Sequence, residues 1–161
     1  MRNILIIGAG RSACYLIKYL LDKSESEDLF ITIGDLSEES AQKFTQGHSR
    51  AQGIQLDVFN EQQRTAAIQS ADLVISMLPA RFHLPAAQDC ILYKKHLVTA
   101  SYVSDEMQAL DEDAKANGLV FMNEIGVDPG IDHMSAMQVI DRIRDAGGKM
   151  LMFESYTRGL V

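Results

Sequence analysis

The stretch NILIIGAGRSACYLIKYL, residues 3–20, decides the fold. NILIIG (3–8) is a continuous apolar run of strand length. Ala13, Leu16, Ile17 and Leu20 then recur at i, i+3, i+4 and i+7, which is one face of a helix. Between the two, GAGRSA (8–13) has the spacing G-x-G-x-x-A. Gly8 permits a tight turn, Gly10 lets the backbone approach a pyrophosphate, and Ala13 lets helix and strand pack closely. The amides of Arg11 and Ser12, with the positive end of the helix, then favour phosphate. On its own the spacing is a weak signal. Set between an apolar strand and an amphipathic helix, it predicts a dinucleotide site.

Outward from this unit, apolar runs alternate with helix-period segments. LFITIG (29–34), GIQLDV (53–58), DLVISML (72–78), HLVTAS (96–101) and LVFMN (119–123) read as strands. Helices are expected over 37–44, 61–69, 84–94 and 104–118, the last capped by Ser104 and ended by Gly118. Strands that are apolar throughout belong to a parallel sheet covered on both faces. The expectation is an α/β, doubly wound parallel sheet of Rossmann type with six or more strands. A further helix carries Ala136, Val139, Ile140 and Ile143 on one face and ends at Gly147 and Gly148. KMLMFESYT (149–157) reads as one more strand. A strand cannot stand alone, so residues 1–146 are expected to form the dinucleotide-binding domain. Residues 147–161 then begin a second, catalytic and dimerisation domain that is mostly missing from this sequence.

Composition narrows the partners. With 161 residues, 47% of them hydrophobic, the chain fits one compact domain. Its net charge of −7 gives no attraction for nucleic acid or anionic lipid. No apolar run is long enough to span a bilayer, and a cytoplasmic location is expected. Cys14 and Cys90 lack His or Cys neighbours at metal-ligand spacing, so no metal site is expected and both read as reduced core thiols. Met134, Met137 and most other methionines read as core filler. His48, His83 and His96 read as surface or strand-end residues.

The candidate site residues lie at the carboxyl ends of the strands, where such sheets bind ligands. Asp35 ends the second strand, with Leu36 and Ser37 beside it. Its carboxylate is placed to accept hydrogen bonds from the adenosine ribose and to repel a 2′-phosphate, which favours NAD. Arg11 keeps NADP possible, and Asp35 or Ser37 can also cap the next helix. Asp57 and Val58 would border the adenine. Ser76, Met77, Leu78 and Pro79 would run under the middle of the cofactor. Ser101 and Tyr102, after the fifth strand, offer hydroxyls to a polar substrate. After the sixth strand, NEIGVDPGIDHM (123–134) brings Asp128, Asp132 and His133 as acid, base or amine-binding groups. Asp128 alone can also be read as a helix cap with Pro129 following it.

GAGRSA, SMLPA (76–80) with His83 soon after, TASYVS (99–104) and GVDPGIDHM (126–134) together resemble the amino-terminal half of the saccharopine dehydrogenase family. The nearest branch is the glutamate-forming enzymes, or saccharopine reductases. The resemblance implies a reversible oxidative deamination in lysine metabolism. Saccharopine, NAD(P)+ and water give glutamate and 2-aminoadipate 6-semialdehyde, by hydride loss and hydrolysis of the resulting imine. It implies that Ser101 and Tyr102 contact substrate and that Asp128, Gly130 and Asp132 form a loop beside substrate and cofactor. Tyr102, Asp128 and Asp132 are the catalytic candidates, and the full-length enzyme is expected to be a homodimer. One departure is that Thr157, Arg158 and Gly159 stand where the fungal type has a cysteine and two glycines, so no catalytic cysteine is expected. Two other functions fit the same fold: a polyamine-forming, carboxynorspermidine-type dehydrogenase, and a non-catalytic NAD(P)-binding redox sensor.

Overall fold

The computed structural model describes residues 1–156. Six strands form one sheet: β1 (Arg2–Ile7), β2 (Leu29–Asp35), β3 (Ala51–Gln55), β4 (Leu73–Ser76), β5 (His96–Thr99) and β6 (Phe121–Met122). Every pairing is parallel, and the order is β3-β2-β1-β4-β5-β6. The order reverses at β1, so the crevice between β1 and β4 is the switch point where doubly wound sheets bind their ligands.

The helices are α1 (Cys14–Lys23), α2 (Glu38–Thr45), α3 (Glu61–Gln69), α4 (His83–Leu92), α5 (Asp105–Gln108), α6 (Asp111–Ala116) and α7 (Ile131–Asp145). Alternation along β1 sends Ile4 and Ile6 to one face, where α1 and α2 pack, and Leu5 and Ile7 to the other, under α3 and α4. Leu5, Ile6 and Ile7 are almost fully buried. Burying each such side chain stabilises by about 1.5–3 kcal/mol, so the strand that starts the fingerprint also anchors both layers. Arg64 of α3 forms an ion pair with Asp89 of α4 at 2.7 Å, nearly buried, and donates to the Val58 carbonyl at 2.6 Å. That holds the chain after β3 in place beside the crevice.

Several expectations are corrected. The third to sixth strands end earlier than their apolar runs. Leu56–Val58, Met77–Leu78, Ala100–Ser101 and Asn123 leave the ladder at its carboxyl edge. The helix expected over 104–118 is broken into α5 and α6, with a tight i to i+3 turn between them in which Leu110 N–H donates to Met107 C=O at 3.1 Å. Ser104 does cap α5, accepting from the Met107 amide, and Gly118 follows with φ +66°.

The strand expected over 149–157 does not form across 149–156, and Thr157 lies outside the described residues. Residues 149–156 pair with neither edge strand, β3 or β6, and an unpaired strand gains no ladder. Nor does α7 enter the core: none of its residues is buried. Met134 and Met137 are therefore exposed rather than core filler. Thr157, Arg158 and Gly159, set against the fungal pattern, also lie outside the described residues.

Candidate functional site

The glycine turn is built as its spacing predicts. Gly8 has φ +103°, and a side chain there would press on the Met77 backbone at 3.2 Å. Gly10 is different: its backbone is extended (φ −76°, ψ 174°), and an added Cβ would meet no protein atom within 4 Å. The space above Gly10 is therefore open to a ligand. One helical turn follows over Arg11–Ala13, and its leading amides have no intrahelical acceptor. Arg11 and Ser12 are exposed, whereas Ala13 is buried against the sheet. These features fit a dinucleotide pyrophosphate.

Asp35 supports this turn. Its carboxylate accepts from the Ala9 amide at 2.8 Å and from the Ser37 amide at 3.2 Å. Ser37, not Asp35, caps α2, accepting from the Ser40 amide. A cleft of about 290 Å³ opens beside these groups, walled by Gly8, Asp35, Leu36, Asp57, Val58, Leu78 and Pro79. Phe59 and Phe82 meet edge-to-face at its mouth, 5.0 Å between centroids. Neither ring was identified from sequence, since isolated aromatics carry no spacing signal. A larger groove of about 560 Å³ lies at the opposite, amino-terminal edge of the strands and holds none of the candidate residues.

The second centre forms where the chain after β6 folds back over the end of β5. The Glu124 amide donates to the Ser101 carbonyl at 3.1 Å, and the Ile125 amide to the Thr99 carbonyl at 3.2 Å. Gly126 packs so tightly on the Ala100 carbonyl that any side chain would collide with it. Gly130, at φ +142°, lies equally close to Gly126. These contacts bring Tyr102 to Asp128, and the phenol donates to the carboxylate at 2.9 Å. Asp132 accepts from the Gly130 amide at 3.0 Å and lies 2.7 Å from His133 Nδ1. The Gly130 amide is thus already engaged. Gly130 itself stands at the start of α7, so Asp128 does not cap that helix.

The electrostatics follow from this clustering. The hydrogen bond to Asp128, with the nearby Asp132 and Glu124 charges, holds the Tyr102 phenol above its ordinary value, so it remains a donor at neutral pH. Desolvation alone would raise Asp132, but hydrogen bonds from His133 and Gly130 outweigh it and keep the carboxyl low. The same pairing raises His133. The result is an acidic, hydrogen-bonded patch suited to a cationic ligand.

His83 is the main residue that the sequence misplaced. It is buried, not on the surface, and begins α4. Its Nδ1 lies 2.8 Å from Ser76 Oγ and its Nε2 2.9 Å from Ser101 Oγ. Ser76 is fully buried with its hydroxyl turned to His83, and it does not line the cleft beside Asp35. Burial pushes the His83 imidazole below its ordinary value. In the unfolded chain it takes up a proton near about pH 6.5. Below that pH the unfolded state binds a proton that the folded state does not, so stability is lost as pH falls. Denaturation midpoints measured between about pH 7 and 5.5 should drop less for His83→Gln than for the unaltered protein; equal drops would contradict this assignment.

Among the described residues no helix is long and apolar enough to cross a membrane. No group of three or more metal-ligating side chains occurs among them either. Cys90 is buried and its thiol is pushed up to about 12, chiefly by desolvation, so it is inert.

Residues 4–122 match the family model described as saccharopine dehydrogenase NADP binding domain, and residues 126–161 the one described as saccharopine dehydrogenase C-terminal domain. The NADP(+)-dependent, L-glutamate-forming saccharopine dehydrogenase of Pyricularia oryzae is 39% identical over 159 residues, 99% of this chain and 34% of the relative. Alpha-aminoadipic semialdehyde synthase of Arabidopsis thaliana is 36% identical, over 98% of this chain and 16% of the relative. The apo L-Glu-forming saccharopine dehydrogenase of Saccharomyces cerevisiae superposes with a TM-score of 0.79 at 32% identity, covering 91% of this chain and 32% of that one. The chain thus spans about a third of the length of these fungal relatives. The matched domain is described as an NADP-binding one and the Pyricularia relative is named for NADP(+), which favours NADP over the NAD expected from Asp35. Each Asp35 oxygen accepts from one backbone amide, so the carboxylate also braces the glycine turn.

Proposed function

We infer the function from one premise: the chain belongs to the saccharopine dehydrogenase family. It is the dinucleotide-binding part of an NADP-dependent oxidoreductase that converts saccharopine and water to glutamate and 2-aminoadipate 6-semialdehyde, a reversible step of lysine metabolism. The observation that carries this function is the Tyr102–Asp128 pair, set beside Asp132 and Glu124 at the carboxyl ends of β5 and β6. The cofactor domain is the part carrying the six-stranded sheet, within which residues 4–122 match the NADP binding domain model. The apolar side chains left exposed on α7 and over 151–156, within the stretch matched to the C-terminal domain model, support a second domain to which this stretch belongs.

Bound NADP supplies the hydride acceptor. Gly8, Gly10, Arg11 and Ser12 would hold its pyrophosphate, with Ala13 letting the helix pack close beneath. Asp35, Leu36, Ser37, Asp57 and Val58 would line the path of the adenosine half, and Met77, Leu78 and Pro79 would run under the middle. Asp128, Asp132 and Glu124 favour the cationic secondary amine of the substrate. Asp128 would accept the amine proton, freeing the nitrogen electron pair needed to form the protonated imine when the adjacent carbon gives up its hydride to that acceptor. Tyr102 orients Asp128 and, with Ser101, contacts the substrate. Water then adds to the imine, and the C–N bond breaks to release amine and aldehyde. A redox sensor needs only the glycine turn and its brace, so the Tyr102–Asp128 pair speaks against that alternative.

Turnover of saccharopine with NADP+, followed as reduced nicotinamide and released glutamate, tests the reaction in the protein that carries this chain. Turnover of a carboxynorspermidine-type substrate without any of saccharopine would transfer it to the polyamine-forming class. For the cofactor, exposed Arg11 has no ion pair among the described residues and is the group placed to meet a 2′-phosphate. Fluorescence titration should show NADPH binding about tenfold tighter than NADH, and Arg11→Ala should remove most of that difference. Tighter binding of NADH by the unaltered protein would contradict it.

A further inference from the structure

We propose that His83 sets the hydrogen-bonding sense of Ser101, positioning its hydroxyl as a donor to a carboxylate oxygen of the bound substrate. The identity of that substrate rests on the functional reading above; the relay itself does not. β4 and β5 are neighbours, with Ser76 opposite Thr99, and the His83 ring bridges from the end of one strand to the chain just past the other.

Donor counting fixes the direction of the relay. Ser76 is fully buried, and its hydroxyl has no hydrogen-bond partner besides His83 among the described residues. A buried hydroxyl hydrogen without an acceptor is costly, so Ser76 donates to Nδ1. Burial keeps the ring neutral, and a neutral ring with a bare Nδ1 carries its proton on Nε2. The Nε2–H group then donates to Ser101 Oγ, which leaves the hydrogen of Ser101 free for a ligand. Ser101 is half-buried, and its carbonyl is pinned by the Glu124 amide. Its neighbours His83 and Tyr102 line a cleft of about 340 Å³, whose walls also include Arg81, Thr99, Glu106 and Asn123. Arg81 is the group there that suits a carboxylate, with Glu106 the one acidic residue in the same walls. The amine of an amino-acid substrate then faces Asp128 while its carboxylate faces Ser101.

Two substitutions separate the halves of the relay. A glutamine amide reaches the position of Nε2 and can serve Ser101, whereas an asparagine amide reaches only the position of Nδ1 and serves Ser76. His83→Asn and Ser101→Ala should each raise KM for saccharopine about tenfold while leaving KM for NADP+ within about twofold. His83→Gln should recover most of what His83→Asn loses, and the double variant with Ser101→Ala should be no worse than Ser101→Ala alone. Equal impairment by Gln and Asn, additive effects in the double variant, or a rise confined to KM for NADP+ would overturn the proposal. Nitrogen-15 shifts of the His83 ring give a readout that needs no substrate: the Nε2–H tautomer is expected, and the Nδ1–H tautomer would overturn the relay. Failure of the unaltered protein to oxidise saccharopine would sink the functional reading, with the tautomer still deciding the relay.

Discussion

Gly10→Val abolishes dinucleotide binding and leaves the fold intact, seen as loss of the NADPH fluorescence response with an unchanged far-UV circular dichroism spectrum. The expectation follows from a contrast within one turn. Gly8 has a positive φ and sits against the Met77 backbone, so a side chain there strains the protein itself. Gly10 has an extended backbone that a β-branched residue adopts readily, and an added Cβ meets nothing within 4 Å. The valine methyls therefore occupy only the space through which the backbone would approach a pyrophosphate. Unchanged affinity for NADPH would mean that the turn serves the fold alone.

Asp128→Asn lowers turnover by about 10²-fold or more, the usual scale for losing a general acid or base. Asparagine keeps an oxygen for the Tyr102 hydroxyl and nearly the same shape, but it can neither take a proton nor attract an ammonium group. A capping role is already removed by Gly130 at the start of α7, so little stability should be lost. NADPH affinity should stay within about twofold, since Asp128 stands apart from the glycine turn. Near-normal kcat in steady-state assays of the whole protein would return Asp128 to a structural part.

What the sequence revealed, and what it hid, follows from how local each signal is. The turn at Gly8–Ala13 and the six parallel strands were legible because strand, turn and helix signals fall within a few residues of one another. The approach of Tyr102 to Asp128 was legible only as two polar stretches ending adjacent strands. The glycines that force it, Gly126 and Gly130, have reasons visible only in three dimensions. His83 was misread because nothing in SMLPARFH signals that the chain turns the imidazole inward between two serines. Asp35 was read as a ribose ligand from its place at the end of β2, and its bracing role was hidden because the amides it accepts from belong to residues 9 and 37. The apolar periodicity of α7 correctly gave a helix, yet it could not show that the face lies outside this domain's core.

The most direct test of the account is a crystal structure of the protein that carries this chain, with NADP+ and saccharopine bound. The pyrophosphate should lie over Gly10, with the 2′-phosphate at Arg11. The secondary amine of saccharopine should lie about 3 Å from an Asp128 oxygen, within hydrogen-bond reach. A dinucleotide bound away from Gly10, or saccharopine seated with its amine out of reach of both Asp128 and Tyr102, would contradict it.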